Sequence, residues 1–311
     1  MKKYNKKSLG SIICGLLCII ILISGVISGK GLKEKALANS PKKFILELWH
    51  IDTFEGGKGS RKDFLLSSSL KFEKKNNIII SVISHSIESA TLALQNSCPD
   101  LISCGNGLDI IDKVKSVSID CQTKVCKIKN KNYGVSWCRG GYALIGSGEK
   151  ENLIVSQGDY TLPLLAYKKS GYNFKNIRVL PSQKAYQEYL IKGGYLLGTQ
   201  RDIIRLENRG LQVKYEPISQ FCDLYQVICI TSTNKEKISY CQDFIAYLLS
   251  SERQKALENI GMLSTIEQDL HSDNILNDLQ KTEIKSVQNF FTNPETLKNI
   301  TFELKQELKT C

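Results

Sequence analysis

The sequence has few of the residues that metal sites and catalytic centres require. It contains only three histidines, scattered along the chain, and no C-x-x-C pair, so the usual spacing of metal ligands is missing. It also lacks a G-x-S-x-G turn, an H-E-x-x-H helix and a Walker phosphate-binding loop. We therefore predict no metal, no cofactor and no catalytic residue.

Cysteines are abundant by contrast, with eleven in 311 residues. Two of them lie in an apolar run near the N-terminus, which leaves nine, and an odd number cannot pair completely within one chain. Cys98 with Cys104, and Cys121 with Cys126, are close enough in sequence to be candidate disulfides. The alternative is that these cysteines serve as small buried apolar residues, and the sequence leaves both possibilities open.

The net charge of +11 suggests nucleic-acid binding only until its distribution is considered. Residues 1–38 carry seven lysines and one glutamate, whereas the rest of the chain has 35 basic and 30 acidic residues. Most of the excess therefore flanks one apolar stretch, where lysines hold a segment on the cytoplasmic side of a membrane. We predict no nucleic-acid partner.

The N-terminal segment has the pattern of an export signal. The lysine-rich segment Met1–Lys7 precedes an apolar run, Leu9–Gly29. This run is long for a secretory signal and about long enough to span a bilayer. Residues 1–38 are therefore either a signal peptide with an A-x-A site at residues 36–38 or a retained membrane anchor. A lipoprotein is disfavoured because neither cysteine in the run follows the expected small residues. We predict an exported protein, at the outer face of the cytoplasmic membrane or extracellular.

Strand and helix patterns alternate in the first part of the exported chain. The predicted elements are strands at residues 44–49, 78–83 and 99–102, a helix after Ser60 and a helix at 87–96. Ser60, with Asp63 three residues later, has the spacing of a capped helix start, and a Gly-rich loop precedes it. This order indicates a parallel sheet covered by helices, and ligands collect at the carboxyl ends of such strands.

The second part of the chain continues the same alternation. The predicted elements are strands at 133–137, 142–146, 195–197, 213–217 and 225–231, helices at 185–192 and 200–208, and a largely helical stretch at 235–308 that is broken near 261–264 and at Pro294. Residues 109–132 are polar and rich in lysine, which predicts an exposed excursion. We find no internal repeats.

Five segments follow one another along residues 44–265: Leu48–Gly57 with Gly59–Arg61, Pro99–Ser103, Trp137–Tyr142, Leu197–Asp202, and Asp223–Gln226 followed by Phe244–Gln254. Each motif is short, but together and in this order they resemble the extracellular solute-binding proteins of family 1, the mainly sugar-binding receptors of ABC importers. The exported part is shorter than typical sugar receptors, with losses expected in 109–132 and after Ala143. This departure leaves the ligand class open.

The resemblance implies an α/β fold of two lobes, the type II periplasmic-binding-protein fold, preceded by the apolar signal or anchor segment. The lobes are joined by crossing strands and enclose the ligand by hinge closure. We expect the crossings near Trp137, Gln226 and Ser264. Lobe 1 is then made of residues 39–137 and 227–263, and lobe 2 of residues 138–226 and 264–311.

Candidate ligand-binding residues lie in the segments that carry the resemblance: Trp49, Asp52, Glu55, Trp137, Arg139, Tyr142, Gln200 and Arg201. Sugar faces stack on aromatic rings, while sugar hydroxyls bind carboxylates, amides and guanidinium groups. Trp49 and Trp137 are the only tryptophans, and both fall where predicted strands end.

Each candidate has a structural alternative. The two tryptophans are equally suited to a core. Arg139 and Arg201 are suited to ion pairs between the lobes, with Asp52, Glu55 or Asp202 as partner. The glycines at positions 56, 57 and 59 either cradle an anion at a helix N-terminus or form a tight turn, and we favour the turn.

The functional expectation is a protein without enzymatic activity that captures a small solute, most simply a carbohydrate, and delivers it to the permease subunits of an ABC importer. A membrane-held sensor or adhesion module that reuses the binding fold is the alternative. A glycosidase built on the carboxylates of Asp52 and Glu55 is more remote.

Overall fold

The structure is a computed structural model that describes residues 44–119, 123–266 and 273–309. The chain from Phe44 onward forms one compact unit. The predicted signal or anchor segment, residues 1–38, lies outside the described residues. Within the described part of the chain, no helix combines the length and the apolar character needed to cross a bilayer.

The first of two five-stranded sheets carries the strands predicted from the alternating pattern. Its order is β2 (Ile78–His85), β1 (Phe44–Ile51), β3 (Leu101–Cys104), β12 (Tyr225–Ile230) and β6 (Val135–Arg139). Strand β1 is parallel to β2 and β3, whereas β12 is antiparallel to β3 and β6. Two helices, α1 (Arg61–Glu73) and α2 (Ile87–Ala93), connect the three parallel strands.

Helix α1 begins where its sequence predicts. The Ser60 hydroxyl accepts a hydrogen bond from the Asp63 amide at 3.1 Å, which satisfies one of the free donors of the first turn. Phe64, Leu65 and Phe72 are buried on the inner side of the helix. Capping and burial together fix the end of the helix that faces the carboxyl end of β1.

The second sheet has the order β11 (Tyr215–Pro217), β7 (Tyr142–Gly146), β10 (Tyr195–Thr199), β8 (Asn152–Gln157) and β9 (Asn176–Pro181). Strand β8 is parallel to β9 and β10, and β7 is antiparallel to β10 and β11. Helices α3 (Pro163–Ser170), α4 (Ser182–Lys192) and α5 (Gln200–Glu207) follow β8, β9 and β10 in turn. The parallel strands therefore point their carboxyl ends, and the helices their N-termini, to the same edge.

Three of these elements were not predicted from the sequence. Strands β8 and β9 and helix α3 lie in the region after Ala143 where we expected residues to be missing. Strand β9 is at the sheet edge and carries exposed and half-buried residues in mixture, so its hydrophobic pattern is weak. The region nevertheless completes the second sheet.

The remaining elements are the short strands β4 (Lys127–Ile128) and β5 (Lys131–Asn132) and the helices α6 (Lys235–Leu248), α7 (Ser251–Lys255), α8 (Asn274–Lys281) and α9 (Pro294–Lys309). The β4–β5 hairpin belongs to the lysine-rich stretch 109–132. That stretch buries Ile110, Val114, Val117 and Val125, so the prediction of an exposed excursion was wrong. Its apolar residues are too widely spaced to show a regular period.

The chain passes from the first sheet to the second through Gly140 and Gly141, between β6 and β7, and returns between β11 and β12. A third segment lies beside the first, because Arg139 and Leu263 exchange backbone hydrogen bonds of 3.0 and 2.9 Å. The lobe boundaries at 137/138, 226/227 and 263/264 stay a prediction.

The candidate disulfide between Cys98 and Cys104 is not formed. Both thiols are free, and Cys98 is exposed whereas Cys104 is buried. Cys121, the proposed partner of Cys126, lies outside the described residues. Burial raises the pKa of the Cys222 thiol to about 12, as expected for a cysteine that serves as a small apolar residue.

Candidate functional site

A cleft of about 870 Å³ lies where the carboxyl ends of β1, β8, β9 and β10 meet. Its wall on the side of the first sheet is the loop from Asp52 to Arg61. Its wall on the side of the second sheet is made of the loops after β8, β9 and β10. The volume is in the range typical of small-molecule sites. The polar side chains that line the cleft are Asp52, Thr53, Glu55, Lys58, Ser60, Arg61, Tyr142, Ser156, Gln157, Asp159, Thr161, Ser182, Gln183, Thr199, Arg201 and Asp202.

Asp52 is held in the cleft wall through a single carboxylate oxygen. Its Oδ1 accepts hydrogen bonds from His50 Nε2 at 3.1 Å and from Arg61 Nε at 2.8 Å, and Arg61 Nη2 lies 2.7 Å from the same atom. Its Oδ2 accepts no hydrogen bond from the described residues. Partial burial raises the pKa of Asp52, but the His50 hydrogen bond and the Arg61 charge outweigh it and bring the pKa down to about 2. Asp52 therefore presents a permanently charged acceptor to the cleft.

Buried hydrogen bonds set the tautomer of His50. Ser103 Oγ lies 3.3 Å from His50 Nδ1 and accepts hydrogen bonds from Trp137 Nε1 at 3.0 Å and Gln226 Nε2 at 3.2 Å. Both of these partners are obligatory donors, so the Ser103 hydroxyl hydrogen is left to donate to Nδ1. His50 then carries its hydrogen on Nε2, which donates to Asp52. A chain of buried hydrogen bonds within the first sheet thus orients Asp52.

Arg61 is buried beneath the same wall of the cleft. It is 2% exposed, its Nη2 donates to the Phe54 carbonyl, and its guanidinium lies 4.1 Å from the centre of the Phe54 ring. Its Nη1 is buried and has no hydrogen-bond partner among the described residues. An unsatisfied buried donor is costly, and Arg61 is one of the residues that line the cleft.

Glu55 and Arg201 form an ion pair across the cleft, between the β1–α1 loop and the first turn of α5. Both side chains are partly exposed. Asp202, which we considered as an alternative partner, instead caps α5, because its Oδ2 accepts the Thr199 amide at 3.0 Å. The inter-lobe ion pair that we gave as the structural alternative for Arg201 is thus present.

Tyr142 lines the cleft at the crossing between the sheets, where it is 2% exposed. Its hydroxyl donates to Asp223 Oδ1 at 2.7 Å, and the Leu162 amide donates to Asp223 Oδ2 at 2.8 Å. Burial raises the pKa of Asp223 to about 6 even though both hydrogen bonds lower it. This buried carboxylate joins the second crossing segment to β7 and to the start of α3.

The structure places both tryptophans outside the cleft. Trp49 is 4% exposed and packs against His85, with ring centres 4.4 Å apart. Trp137 is fully buried and stacks on Phe64 with ring centres 5.6 Å apart. Both side chains therefore lie in the core, which was the alternative considered for them. Trp137 is connected to the cleft only through the hydrogen bonds of Ser103 and His50.

Arg139 and Gln200 also lie outside the cleft and bind main-chain atoms of the crossings. Arg139 Nη2 donates to the carbonyls of Leu279 and Gln280, each at 3.2 Å. The Gln200 side chain is fully buried and accepts the Gly141 amide at 3.0 Å. Of the eight sequence-derived candidates, the cleft therefore brings together Asp52, Glu55, Tyr142 and Arg201.

Three residues of the site were missed by sequence reasoning: His50, Arg61 and Gln157. His50 and Arg61 lie inside the first segment that carries the family resemblance, so position alone could have suggested them. Gln157, at the end of β8, donates through Nε2 to the Thr161 carbonyl at 2.6 Å, while its Oε1 is buried and without a partner among the described residues. No sequence signal identified it, because β8 itself was not predicted.

Close packing requires glycine at two positions of the Gly-rich loop. A Cβ at Gly57 would lie 2.2 Å from the Gly261 carbonyl oxygen, and one at Gly59 would lie 2.9 Å from the Ile260 side chain. The Gly59 amide also donates to the Ile260 carbonyl at 3.2 Å. This packing favours the tight turn over the anion cradle.

Among the described residues, no three His, Cys, Asp or Glu side chains form a group that could hold a metal.

Comparison with known proteins identifies the fold but not the family. No protein-family model and no curated protein matches the sequence. Many solved structures match the fold, and three of them bind different ligands. The maltose/maltodextrin-binding domain of Bdellovibrio bacteriovorus, bound to maltotriose, has a TM-score of 0.56 and 11% identity, covering 85% of this chain and 94% of that one.

The iron- and citrate-bound IdiA (FutA) protein of Trichodesmium has a TM-score of 0.61 and 12% identity, covering 85% of this chain and 99% of that one. The spermidine/putrescine-binding protein of the Streptococcus pneumoniae ABC transporter has a TM-score of 0.59 and 10% identity, with the same coverage. The two-lobed periplasmic-binding-protein fold predicted from the sequence is therefore confirmed. At these identities the likeness concerns the fold alone, and the sugar-specific part of the family resemblance stays a prediction.

Proposed function

We propose that the protein is an exported solute receptor of an ABC importer, which encloses a small polar solute between its two sheets and delivers it to membrane permease subunits. The observation that carries this proposal is the cleft with the anchored carboxylate of Asp52. The similar structures are those of sugar-, iron- and polyamine-binding proteins, which supports a binding role over an enzymatic one.

We infer that the solute is rich in hydroxyl groups, with a carbohydrate as the simplest case. Asp52 Oδ2 and Gln157 Oε1 are unpartnered acceptors, and Arg61 Nη1 is an unpartnered donor. A hydroxyl group can satisfy both kinds of atom, since it donates one hydrogen and accepts through its lone pairs. Because the tryptophans lie in the core, we expect recognition by hydrogen bonds more than by ring stacking.

The acidity of Asp52 argues against a glycosidase. Such an enzyme needs one carboxyl group that is protonated near neutral pH, which requires a raised pKa. The pKa of Asp52 is instead lowered to about 2, and Glu55 is committed to its ion pair with Arg201. Neither carboxylate is therefore suited to protonating a leaving group, whereas Asp52 keeps its Oδ2 for a ligand.

A thermal-shift screen of the full chain tests the proposal, with saccharides, polyamines and iron–citrate as separate arms. A ligand at about 100 times its Kd stabilises the folded state by about 2.7 kcal/mol, a clear rise in Tm. We expect a rise with at least one saccharide and none with the other two classes. A response to polyamines or iron–citrate alone would exclude the carbohydrate assignment but keep the receptor function.

The matched variants are Asp52→Asn, which keeps the shape of the anchored group, and Trp49→Phe, which changes a core residue of the strand that precedes Asp52. We expect Asp52→Asn to weaken binding of the identified ligand by about tenfold or more, because a charged acceptor is lost. Trp49→Phe should change the affinity less than about twofold. Equal effects of the two variants in calorimetric titration would remove Asp52 from the site.

A further inference from the structure

The ion pair between Glu55 and Arg201 connects the two walls of the cleft. Glu55 belongs to the loop after β1, in the first sheet, and Arg201 belongs to the first turn of α5, which follows β10 in the second sheet. Both residues line the cleft. They are 146 positions apart in the chain, so the pair joins segments that separate when a cleft between two lobes opens.

The main chain on both sides of Glu55 is held by close contacts. Arg61 Nη2 donates to the carbonyl of Phe54, the residue immediately before Glu55. Gly57, two residues after Glu55, packs so closely against the Gly261 carbonyl that a Cβ at this position would lie 2.2 Å from its oxygen. The Glu55 side chain therefore extends from a loop whose main chain is fixed at two points.

Arg201 extends from a helix start that is equally well fixed. The Thr199 amide donates to Asp202 Oδ2 at 3.0 Å, as part of the capping box that begins α5. The carboxylate of Asp202 is thus used by the cap, and that of Asp52 by Arg61. Within the part of the chain that the structure describes, Glu55 is the one carboxylate at ion-pair distance from Arg201. Because both partners are positioned by their own elements, pairing orders little additional main chain.

A second contact joins the loops of the two sheets. Gly107 follows β3 and has a φ of +107°, and Tyr160 belongs to the loop between β8 and α3. A Cβ at Gly107 would lie 2.4 Å from the Tyr160 ring, so the ring packs directly on the main chain. This contact involves no charge, whereas salt screens the attraction between Glu55 and Arg201. Salt therefore distinguishes the contributions of the two contacts.

We propose that the Glu55–Arg201 pair keeps the cleft closed between solute-binding events, and that a solute enters when the pair separates. Both partners belong to the chain, so the contact needs no solute atom. A partly exposed ion pair changes an equilibrium by up to about fivefold, which favours closure but still permits opening. The role of the pair in solute uptake rests on the proposed function, whereas the equilibrium between closed and open forms is a property of the chain alone.

The distance between two spin labels tests the proposal on the full chain in mild detergent, with no solute added. Ser67 on α1 and Lys184 on α4 are exposed, and both helices begin at the cleft. The labels are attached to Ser67→Cys and Lys184→Cys, in a background in which Cys98 and the cysteines outside the described residues are replaced by serine. We expect the short distance of the closed form to predominate. Glu55→Gln should raise the ratio of the long to the short distance by about two- to fivefold.

Glu188→Gln is the matched control, because it breaks the ion pair between Arg178 on β9 and Glu188 on α4, which lies on one side of the cleft. It should leave both distances unchanged. Glu55→Arg combined with Arg201→Glu reverses the ion pair and should restore the short distance.

Salt gives the second measurement. Raising the ionic strength from about 10 mM to about 1 M reduces the Debye length from about 30 Å to about 3 Å, so it should increase the long distance in the labelled chain but not in its Glu55→Gln variant. Far-ultraviolet circular dichroism checks that each variant folds. A long distance that predominates from the start, a distribution that Glu55→Gln leaves unchanged, or the same response to salt in both chains would refute closure by this pair. None of these results would affect the proposed solute site, which the thermal-shift screen tests separately.

Discussion

Burial of Asp223 should make the protein less stable as the pH rises from about 4 to about 7. The folded chain raises the pKa of this carboxyl from 3.8 to about 6, so in this window the folded state holds a proton that the unfolded state has lost. Stability falls with pH wherever the folded state binds more protons. The stabilisation is complete below pH 4 and is lost as the pH passes 6.

The size of the effect follows from the pKa difference. A rise from 3.8 to about 6 corresponds to about 3 kcal/mol, of which roughly 2 kcal/mol is lost between pH 4.5 and 7.5. Asp223→Asn removes this dependence. The amide cannot accept from both the Tyr142 hydroxyl and the Leu162 amide, so it should cost about 1–3 kcal/mol at pH 4.5. The difference between variant and wild type should therefore shrink by about 2 kcal/mol at pH 7.5.

Urea unfolding at constant ionic strength between pH 4.5 and 7.5 measures both curves. Other buried acids, such as Asp202, contribute equally to both proteins and cancel in the difference. Asp243→Asn, which removes a carboxylate from the exposed side of α6, is the control and should run parallel to the wild type. Parallel curves for Asp223→Asn and wild type would refute the reasoning, because Asp223 would then titrate alike in both states.

Two further predictions concern the loop that forms one wall of the cleft. Gly57→Ala should destabilise the protein by about 1–3 kcal/mol, because its Cβ would lie 2.2 Å from a main-chain oxygen; Gly56→Ala, whose nearest neighbour is 3.7 Å away, should be neutral. Equal melting temperatures of the two variants would contradict this packing. Glu55→Gln should lower stability by less than about 1 kcal/mol at low salt and by still less at high salt, since the ion pair with Arg201 is partly exposed. A loss that does not change with salt would mean that Glu55 acts through packing instead of charge.

Local signals in the sequence were sufficient for the first sheet. The apolar runs of β1 and β2, the Ser60 cap and the strand–helix order predict a parallel sheet, and the structure has it. They were insufficient for β8 and β9, because β8 follows a charged turn and β9 is an edge strand with little regular burial. Periodicity can reveal a strand only where one of its faces is consistently buried.

Only part of the site was predicted from the sequence, and the reason differs from the one that applies to the sheets. Loop residues that follow a strand of a parallel sheet, such as Asp52 and Glu55, point to the carboxyl edge whatever the details of packing. Trp137 lies within a strand, and whether its ring enters the cleft or the core depends on which face Phe64 covers. The unpartnered nitrogen of Arg61 depends on how Asp52 and Phe54 share the guanidinium, which only the folded loop determines.

The position of both tryptophans in the first sheet has an optical consequence. Trp49 on β1 and Trp137 on β6 supply all the indole fluorescence of the chain, and neither lies in the second sheet. Emission excited at the indole band therefore reports the melting of one half of the molecule, while the far-ultraviolet dichroic signal averages over both. If the two halves unfold together, the transitions seen by the two spectroscopies coincide. If the second half opens first, the dichroic change precedes the fluorescence change, and the native chain reveals this without any added label.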